Sequence, residues 1–282
     1  MELQSKKRVG ILRGGTGENY NSSLQHGGEI ILHILENLDH KYKTADILVD
    51  SDSIWHYNGR PVQPADLVHK VDVVWNTAQP SFSIILDNLS IANVGADSFH
   101  SVLENSKEML REHMKKINID MPRLIVSPKN AREVFEKFGS PWVVKTNNEI
   151  KLVKTFNELA EMINGKDEVI VEEFIVGKVA SVHSLAGFRG ADIYIFPVFQ
   201  VFGQISVDEK ERLSKLARDL HKHIGIKHYL KTNFVINKRG KVYLSDINSV
   251  PDLSSNSHYF LQVCESVGAK MHHVIEHILE QV

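Results

Sequence analysis

Two short runs near the C-terminus, Leu230 to Ile236 and Lys241 to Ile247, are rich in β-branched and aromatic residues and flank the turn-forming tetrad Asn237-Lys238-Arg239-Gly240. That pattern dictates an antiparallel hairpin. Closing it with Ile236 against Lys241 sets Lys231 opposite Asp246 and Asn233 opposite Leu244, with Asn233 diagonal to Asp246. Side chains two apart share a face, so Lys231, Asn233, Asp246 and Asn248 converge at one end of a face expected to carry Val235, Val242 and Leu244 at the other. A carboxylate and two amide oxygens beside a cation suit a hard metal ion and the phosphates it carries. The same pattern equally describes an edge hairpin whose polar face lies in water.

The chain ahead of the hairpin alternates strand and helix. Arg8 to Leu12 is an apolar strand, followed by Arg13-Gly14-Gly15-Thr16-Gly17 and a helical pattern from about Ser22 to Leu38. Strand, glycine turn and helix start form either an anion or polar-substrate site, with free N–H groups and the helix dipole aimed at it, or a plain tight βα turn. Strands at Lys43 to Val49 and Val71 to Trp75, with a helix around Ile84 to Leu89, predict a parallel-sheet α/β unit. Ser101 to Lys116 predicts one amphipathic helix burying Val102, Leu103, Met109, Leu110 and Met114, with Lys107 solvated by default.

Next come a strand at Arg123 to Val126, a helix at Ala131 to Phe138, and Pro141 to Lys145, a strand whose terminal lysine sits either at a cleft edge or at the exit to solvent. Glu149 to Thr155, Val169 to Ile175, Val179 to Leu185 and Ala191 to Val201 predict strands, and Phe156 to Ile163 and Val207 to Ile224 predict helices. Glu172 and Glu173, at the end of a buried strand beside Phe174, suit a ribose or adenine edge, and they suit surface decoration as well. A closing helix in two pieces, His258 to Gly268 and Met271 to Leu279, is expected to be a solvated cover; His273 and His277 stand one turn apart on it without the rest of a zinc motif.

A net charge of -2, with 33 Lys+Arg among 282 residues, gives no global field for nucleic acid, so an anion site must be local. The single cysteine, Cys264, rules out an intrachain disulfide, fits a reducing compartment, and sits in an apolar helical pattern as a core thiol. No run approaches the roughly 18 apolar residues of a membrane span, and the charged start MELQSKKR lacks the apolar core of a secretion signal, so a cytoplasmic location is expected. No Gly-x-Ser-x-Gly elbow, phosphate-loop lysine motif or Cys-x-x-Cys pair is present.

RVGILRGGTGENYNSSLQHGGEI at the start, then ENSKEML, PWVVKT and VEEFIVGK, and YLSDINSVPDLSSNSHY near the end resemble, in that order, the motifs of the D-alanine–D-alanine ligase family of ATP-grasp enzymes. The resemblance runs from Val9 to about Leu279. It implies a mixed α/β and α+β architecture, with an N-terminal parallel-sheet domain over 1–97, a central ATP-grasp subdomain over 98–177 and a C-terminal one over 178–282. It also implies ATP and Mg²⁺ as cofactors, a small amino acid or peptide as substrate, a homodimer, and a place in peptidoglycan synthesis for the cell wall.

Carried over position by position, the resemblance makes Lys107 and Lys145 phosphate-contacting lysines and Glu172, Glu173, Phe174 and Ile175 the adenine segment. Asp246 and Asn248 take the places of Mg²⁺ ligands, and Asn233 that of a third, an aspartate in the family. Lys231 replaces an arginine facing the reacting carboxylate, and Ser257 matches the serine that receives the second substrate's carboxylate. Asn19 stands where the family has the glutamate for the first substrate's ammonium, with Glu18 adjacent. Asp252 replaces a glycine in the oxyanion region, where Lys231 and nearby N–H groups are expected to act, and Val179 replaces the ribose glutamate.

The loop after Lys145 reads Thr146-Asn147-Asn148-Glu149-Ile150 without glycine, and the family's long covering loop is missing between Gln200 and Val207. Two expectations follow. One is an ATP-dependent carboxylate–amine ligase working through an acyl-phosphate; the other is a non-catalytic binding or interaction protein on the same fold that has lost its lids.

Overall fold

A computed structural model describes residues 5–17, 19–95, 97–146, 149–164, 168–251, 253 and 258–282. The first unit is the expected α/β layer: β1 (Lys7–Gly14), α1 (Tyr20–Asn37), β2 (Tyr42–Val49), β3 (Trp55–Tyr57), β4 (Arg60–Val62), β5 (Val73–Asn76), α2 (Pro80–Asn88) and β6 (Asn93–Val94). Its sheet has the order β4-β3-β2-β1-β5-β6, and β1 runs parallel to both β2 and β5. The β3–β4 hairpin is an addition to the sequence expectation, placed antiparallel on the β2 edge.

The predicted helix Ser101 to Lys116 is in fact two. α3 (Ser98–Asn105) ends at Ser106, which is extended (φ -118°, ψ 100°) and caps the start of α4 (Lys107–Lys115), its hydroxyl oxygen accepting from the Met109 N–H. The break resets the helical phase, so Leu103, Leu110 and Met114 are buried while Val102 and Met109 are exposed. Lys107 thereby becomes the first residue of a helix rather than a mid-helix lysine. A four-stranded antiparallel sheet follows, in the order β7 (Leu124–Val126), β10 (Val169–Glu173), β8 (Trp142–Thr146), β9 (Ile150–Val153). α5 (Ala131–Lys137) and α6 (Phe156–Ile163) cover its Trp142, Val144 and Val171 face.

The last sheet has the order β12 (Ile193–Ile195), β11 (Gly177–Ala186), β14 (Tyr229–Asn237), β15 (Val242–Asn248), and β13 (Phe199–Phe202) also pairs with β11. The predicted strand Ala191 to Val201 is thus two short ones. α7 (Val207–Ile224) packs Leu213, Ala217 and Leu220 against Ala180, Val182, Leu230 and Phe234. α8 (His258–Ser266) and α9 (Met271–Gln281) are no solvated cover: Phe260, Cys264, Val274, Ile275 and Ile278 are buried with Val9, Ile11, Ile30 and Ile34 of the first unit. His277 Nε2 donates to the Ala186 carbonyl (2.7 Å), while His273 Nδ1 accepts from the Lys270 N–H, so the two do not form a metal pair.

The hairpin register differs from the expected one. Ile236 pairs with Val242 and Phe234 with Leu244; a β-bulge then puts Asn233 directly opposite Asp246 and Lys231 opposite Asn248. Ser245 is the extra residue, and the closing turn is held by Asn237, whose side-chain oxygen accepts from the N–H groups of Arg239 and Lys241. Val242 and Leu244 consequently face the α7 core rather than the polar side. The polar side carries Lys231, Asn233 and Val235 with Tyr243, Asp246 and Asn248.

Candidate active site

Alternation along β8 sends Trp142 and Val144 into the core and Val143 and Lys145 to the opposite face, where Glu172 of β10 lies across from Val143. That face and the polar side of the last sheet enclose a cleft of about 610 Å³, lined by Lys107, Val143, Lys145, Glu172, Glu173, Phe174, Ile175, Val179, Phe202, Val235 and Ser245, among others. All six residues expected to hold a nucleotide therefore meet in one cavity. Its far wall is apolar, from Val179, Val235 and the exposed Phe202.

At the centre is Glu172, 5% exposed. Lys107 Nζ donates to both of its carboxylate oxygens at 2.8 Å, and Lys145 Nζ lies 3.4 Å from Oε2. Two ammonium groups against one carboxylate leave a local excess of positive charge, which suits an anion. Glu173 turns away to Arg123, which clamps it through Nε (2.8 Å) and Nη2 (2.7 Å) and holds its carboxyl below the usual range. Phe174 leaves the ladder, its N–H donating to the Pro141 carbonyl at 3.1 Å, with its ring half exposed at the cleft mouth.

Beyond this pocket the hairpin carries a second polar group. Asn233 Nδ2 donates to Asp246 Oδ1 at 2.6 Å, and Asn233 Oδ1 accepts from the Ser181 hydroxyl at 2.5 Å. Asn248 is exposed, and its Oδ1 accepts from the Val250 N–H. Each amide oxygen thus already accepts one hydrogen bond within the protein, and Asp246 Oδ2 is the one carboxylate oxygen of this set not used by Asn233. Asp246 is the charged oxygen ligand this set offers a hard cation; among the described residues no group of three or more His, Cys, Asp or Glu converges as a metal site. Lys231, half-buried, stands between Asn248 on one side and His183 of β11 on the other.

The glycine turn resolves toward the plain alternative. Gly14 N–H donates to Ser23 Oγ and Gly15 N–H to the Val49 carbonyl, and Gln79, with its amide oriented to satisfy its neighbours, accepts from the N–H groups of Thr16 and Gly17. The N–H groups of Gly14, Gly15, Thr16 and Gly17 are already used. Gly14 itself is required, because at φ +87° a Cβ would come within 2.2 Å of the Val49 carbonyl. Asn19 is exposed at the start of α1, its side chain making no cap. Glu18, Asp252 and Ser257 lie outside the described residues.

Several neighbours were not singled out by sequence. Ser181 and His183 share the polar face with Val179, which the period of two along β11 could have signalled. His183 is buried, stacks on Phe260, meets the Tyr229 hydroxyl at 2.6 Å, and is pushed down to about 3 by burial, with Lys231 adding to the effect. Glu104 of α3 accepts from the Ser249 N–H at 2.5 Å, and burial raises its carboxyl above the usual range. Arg111, one turn after Lys107, is half-buried, its Nη1 donating to the Met121 carbonyl at 3.3 Å. Glu104 and Arg111 have no local sequence signal, since each depends on contacts made across the fold.

Residues 196–280 match the family model described as D-ala D-ala ligase C-terminus, a span that contains Lys231, Asn233, Asp246 and Asn248. A D-alanine–D-alanine ligase of Coprothermobacter proteolyticus is 26% identical over 286 residues, covering 88% of this chain and 90% of its own. The VanG D-Ala:D-Ser ligase of Enterococcus faecalis superposes with a TM-score of 0.81 over 98% of this chain and 99% of its own, at 18% identity. A D-alanine–D-alanine ligase of Bacillus anthracis, solved in complex with ATP, gives 0.77 over 98% of this chain and 96% of its own, at 20% identity. Among the described residues no helix is long and apolar enough to cross a membrane. By sequence over most of its length the chain is similar to D-alanine–D-alanine ligases, and its architecture is the ATP-grasp fold of the solved ones.

Proposed function

We propose that the protein is an ATP-dependent ligase that joins a carboxylate to an amine, acting on a small amino acid or short peptide. The observation that carries this is the cleft, in which Lys107 and Lys145 converge on Glu172 beside the Glu173–Ile175 segment. The adenine lies against Phe174, Ile175 and the apolar wall, and the phosphates take the two lysines. A substrate carboxylate oxygen then attacks the γ-phosphorus, the bond to the ADP oxygen breaks, and an acyl-phosphate forms. The amine attacks that acyl carbon, phosphate leaves, and a proton is lost from the new amide nitrogen.

Lys231 is the cation on the hairpin face available to the substrate carboxylate and to the oxyanion that follows, as a point charge without the fork of an arginine. Asn19 and Glu18 are the groups for the substrate ammonium, Ser257 is that for the second substrate's carboxylate, and Asp252 belongs to the oxyanion region. Magnesium arriving with the nucleotide would meet Asp246 as its protein carboxylate, with water and phosphate supplying the remainder of its shell. Cytoplasmic peptidoglycan synthesis is the setting that suits such a product. Exposed Leu32 and Leu35 on α1 favour a paired state in solution, which light scattering reads.

The commitment of both amide oxygens on the hairpin favours a second reading, a protein that binds nucleotide without turning it over. Phosphate release separates the two. Purified protein with ATP, Mg²⁺ and a panel of D- and L-amino acids and dipeptides should release phosphate only when a carboxylate and an amine acceptor are both present. Nucleotide binding with no release across the panel would establish the binding protein instead.

A further inference from the structure

Glu172 serves two masters in the cleft. It is buried, and the ammonium donors it uses, at 2.8 Å from Lys107 and 3.4 Å from Lys145, are those a phosphate entering the cleft would claim. As the lysines turn to the phosphate, a carboxylate removed from water loses the charges that compensate it, and an unpaired buried charge is strongly unfavourable. The exchange needs a third cation.

Arg111 is placed to be that cation. It follows Lys107 by four residues on α4, so both project from the same helical face. Its one hydrogen bond is weak, from Nη1 to the Met121 carbonyl at 3.3 Å, and its Nε and Nη2 are buried with no partner. Buried guanidinium donors are ordinarily spent. The negative charges acting on Arg111 are first Glu172 and then Glu173, with Glu112 and Glu108 behind them. Glu173 is already clamped by Arg123, which leaves Glu172 as the carboxylate that becomes free.

We propose that Arg111 is a positioning residue of the cleft, taking over Glu172 when a nucleotide phosphate draws Lys107 and Lys145 away from it. The proposal rests on the cleft being a nucleotide site. Through this exchange the end of β10, and with it the Glu173–Ile175 segment, keeps its place while the lysines change partners.

Calorimetry with ATP and with adenosine tests it on the full chain, on Arg111→Met, Arg111→Lys and Glu172→Gln, and on the double variant. Arg111→Met should weaken ATP about tenfold or more, the range for losing a bond to a charged group, and leave adenosine, which has no phosphate, unchanged. Arg111→Lys should recover part of the loss. In the Glu172→Gln background, Arg111→Met should change nothing. An equal loss for adenosine would reveal a purely structural residue and overturn the proposal, as would unchanged ATP affinity. A full loss persisting in the Glu172→Gln background would mean that Arg111 meets the phosphate directly, which also overturns it. Wild-type protein that binds neither ligand would remove the nucleotide reading of the cleft and this exchange with it, an outcome distinct from wild-type binding that Arg111→Met leaves intact.

Discussion

Mild acid should unfold this protein well above the pH at which its carboxylates titrate. His183, His221 and His228 are buried, and burial pushes them down to about 3, about 4 and about 4 respectively. Each is held neutral by the fold: His183 against the Tyr229 hydroxyl, His221 between Ser184 and the Ile226 carbonyl, His228 accepting from the Tyr229 N–H. In the unfolded chain the same rings titrate near 6.5. Their folded values are depressed, so below about pH 6.5 the unfolded state binds more protons and stability is lost as pH falls. Three such groups give a slope of about 4 kcal/mol per pH unit, or roughly 8 kcal/mol over two units. That loss is comparable to the whole stability of an ordinary domain, about 5–15 kcal/mol. Urea melts followed by circular dichroism from about pH 7.5 to 4.5 should show that slope, and His221→Gln should remove about a third of it. A stability constant between about pH 7 and 5 would refute the reasoning, because it would require these rings to protonate freely in the folded state.

Glu172→Gln keeps the shape of the side chain but leaves Lys107 and Lys145 without their counter-charge, and should lower the stability of the nucleotide-free protein by about 2–3 kcal/mol, read by urea denaturation. Asp246→Asn should reduce the Mg²⁺-dependent part of ATP affinity about tenfold while sparing affinity measured in a chelator, since it is the carboxylate offered on that face; unchanged Mg²⁺ dependence would remove the hairpin from the metal's surroundings. Gly177→Ala should cost about 3 kcal/mol or more in thermal unfolding, because its Cβ would lie 2.0 Å from the Ile236 carbonyl and the β11–β14 pairing would have to shift.

What the sequence showed depended on how local the determining physics was. Phe156–Ile163 and Val207–Ile224 come out with the ends expected, because each begins with a capping box, Thr155 with Glu158 and Ser206 with Glu209, and α7 stops at Gly225 in the left-handed region. Ser106 was equally a cap, but it interrupts an apolar pattern that continues on both sides, and the break at Asn105 was hidden beneath it. The hairpin existed where it was expected, yet its register was shifted by the bulge at Ser245, which has no signature in residue type. Lys145 and Glu172 could be marked from their places at strand ends with the solvent reading left open, and Lys107 only by family resemblance. Their convergence joins positions 65 residues apart in chain, and no periodicity reports a contact of that range.

The same non-locality explains why the composition was silent about the cleft. An overall charge of -2 says nothing of a pocket where two lysines pair with one carboxylate and Arg111 follows one turn after Lys107 on the same helix. With Glu173 already neutralised by Arg123, the wall carries more positive than negative charge, yet Glu172 masks it while the cleft holds no anion. A phosphate entering the proposed nucleotide site would therefore be bound by exchange rather than by simple attraction, since every contact it gained with Lys107 or Lys145 would be one that Glu172 gave up. Affinity for phosphate in such a site is set less by how many cations line it than by whether the displaced carboxylate finds another, and the unspent donors of Arg111 are where this fold keeps one in reserve.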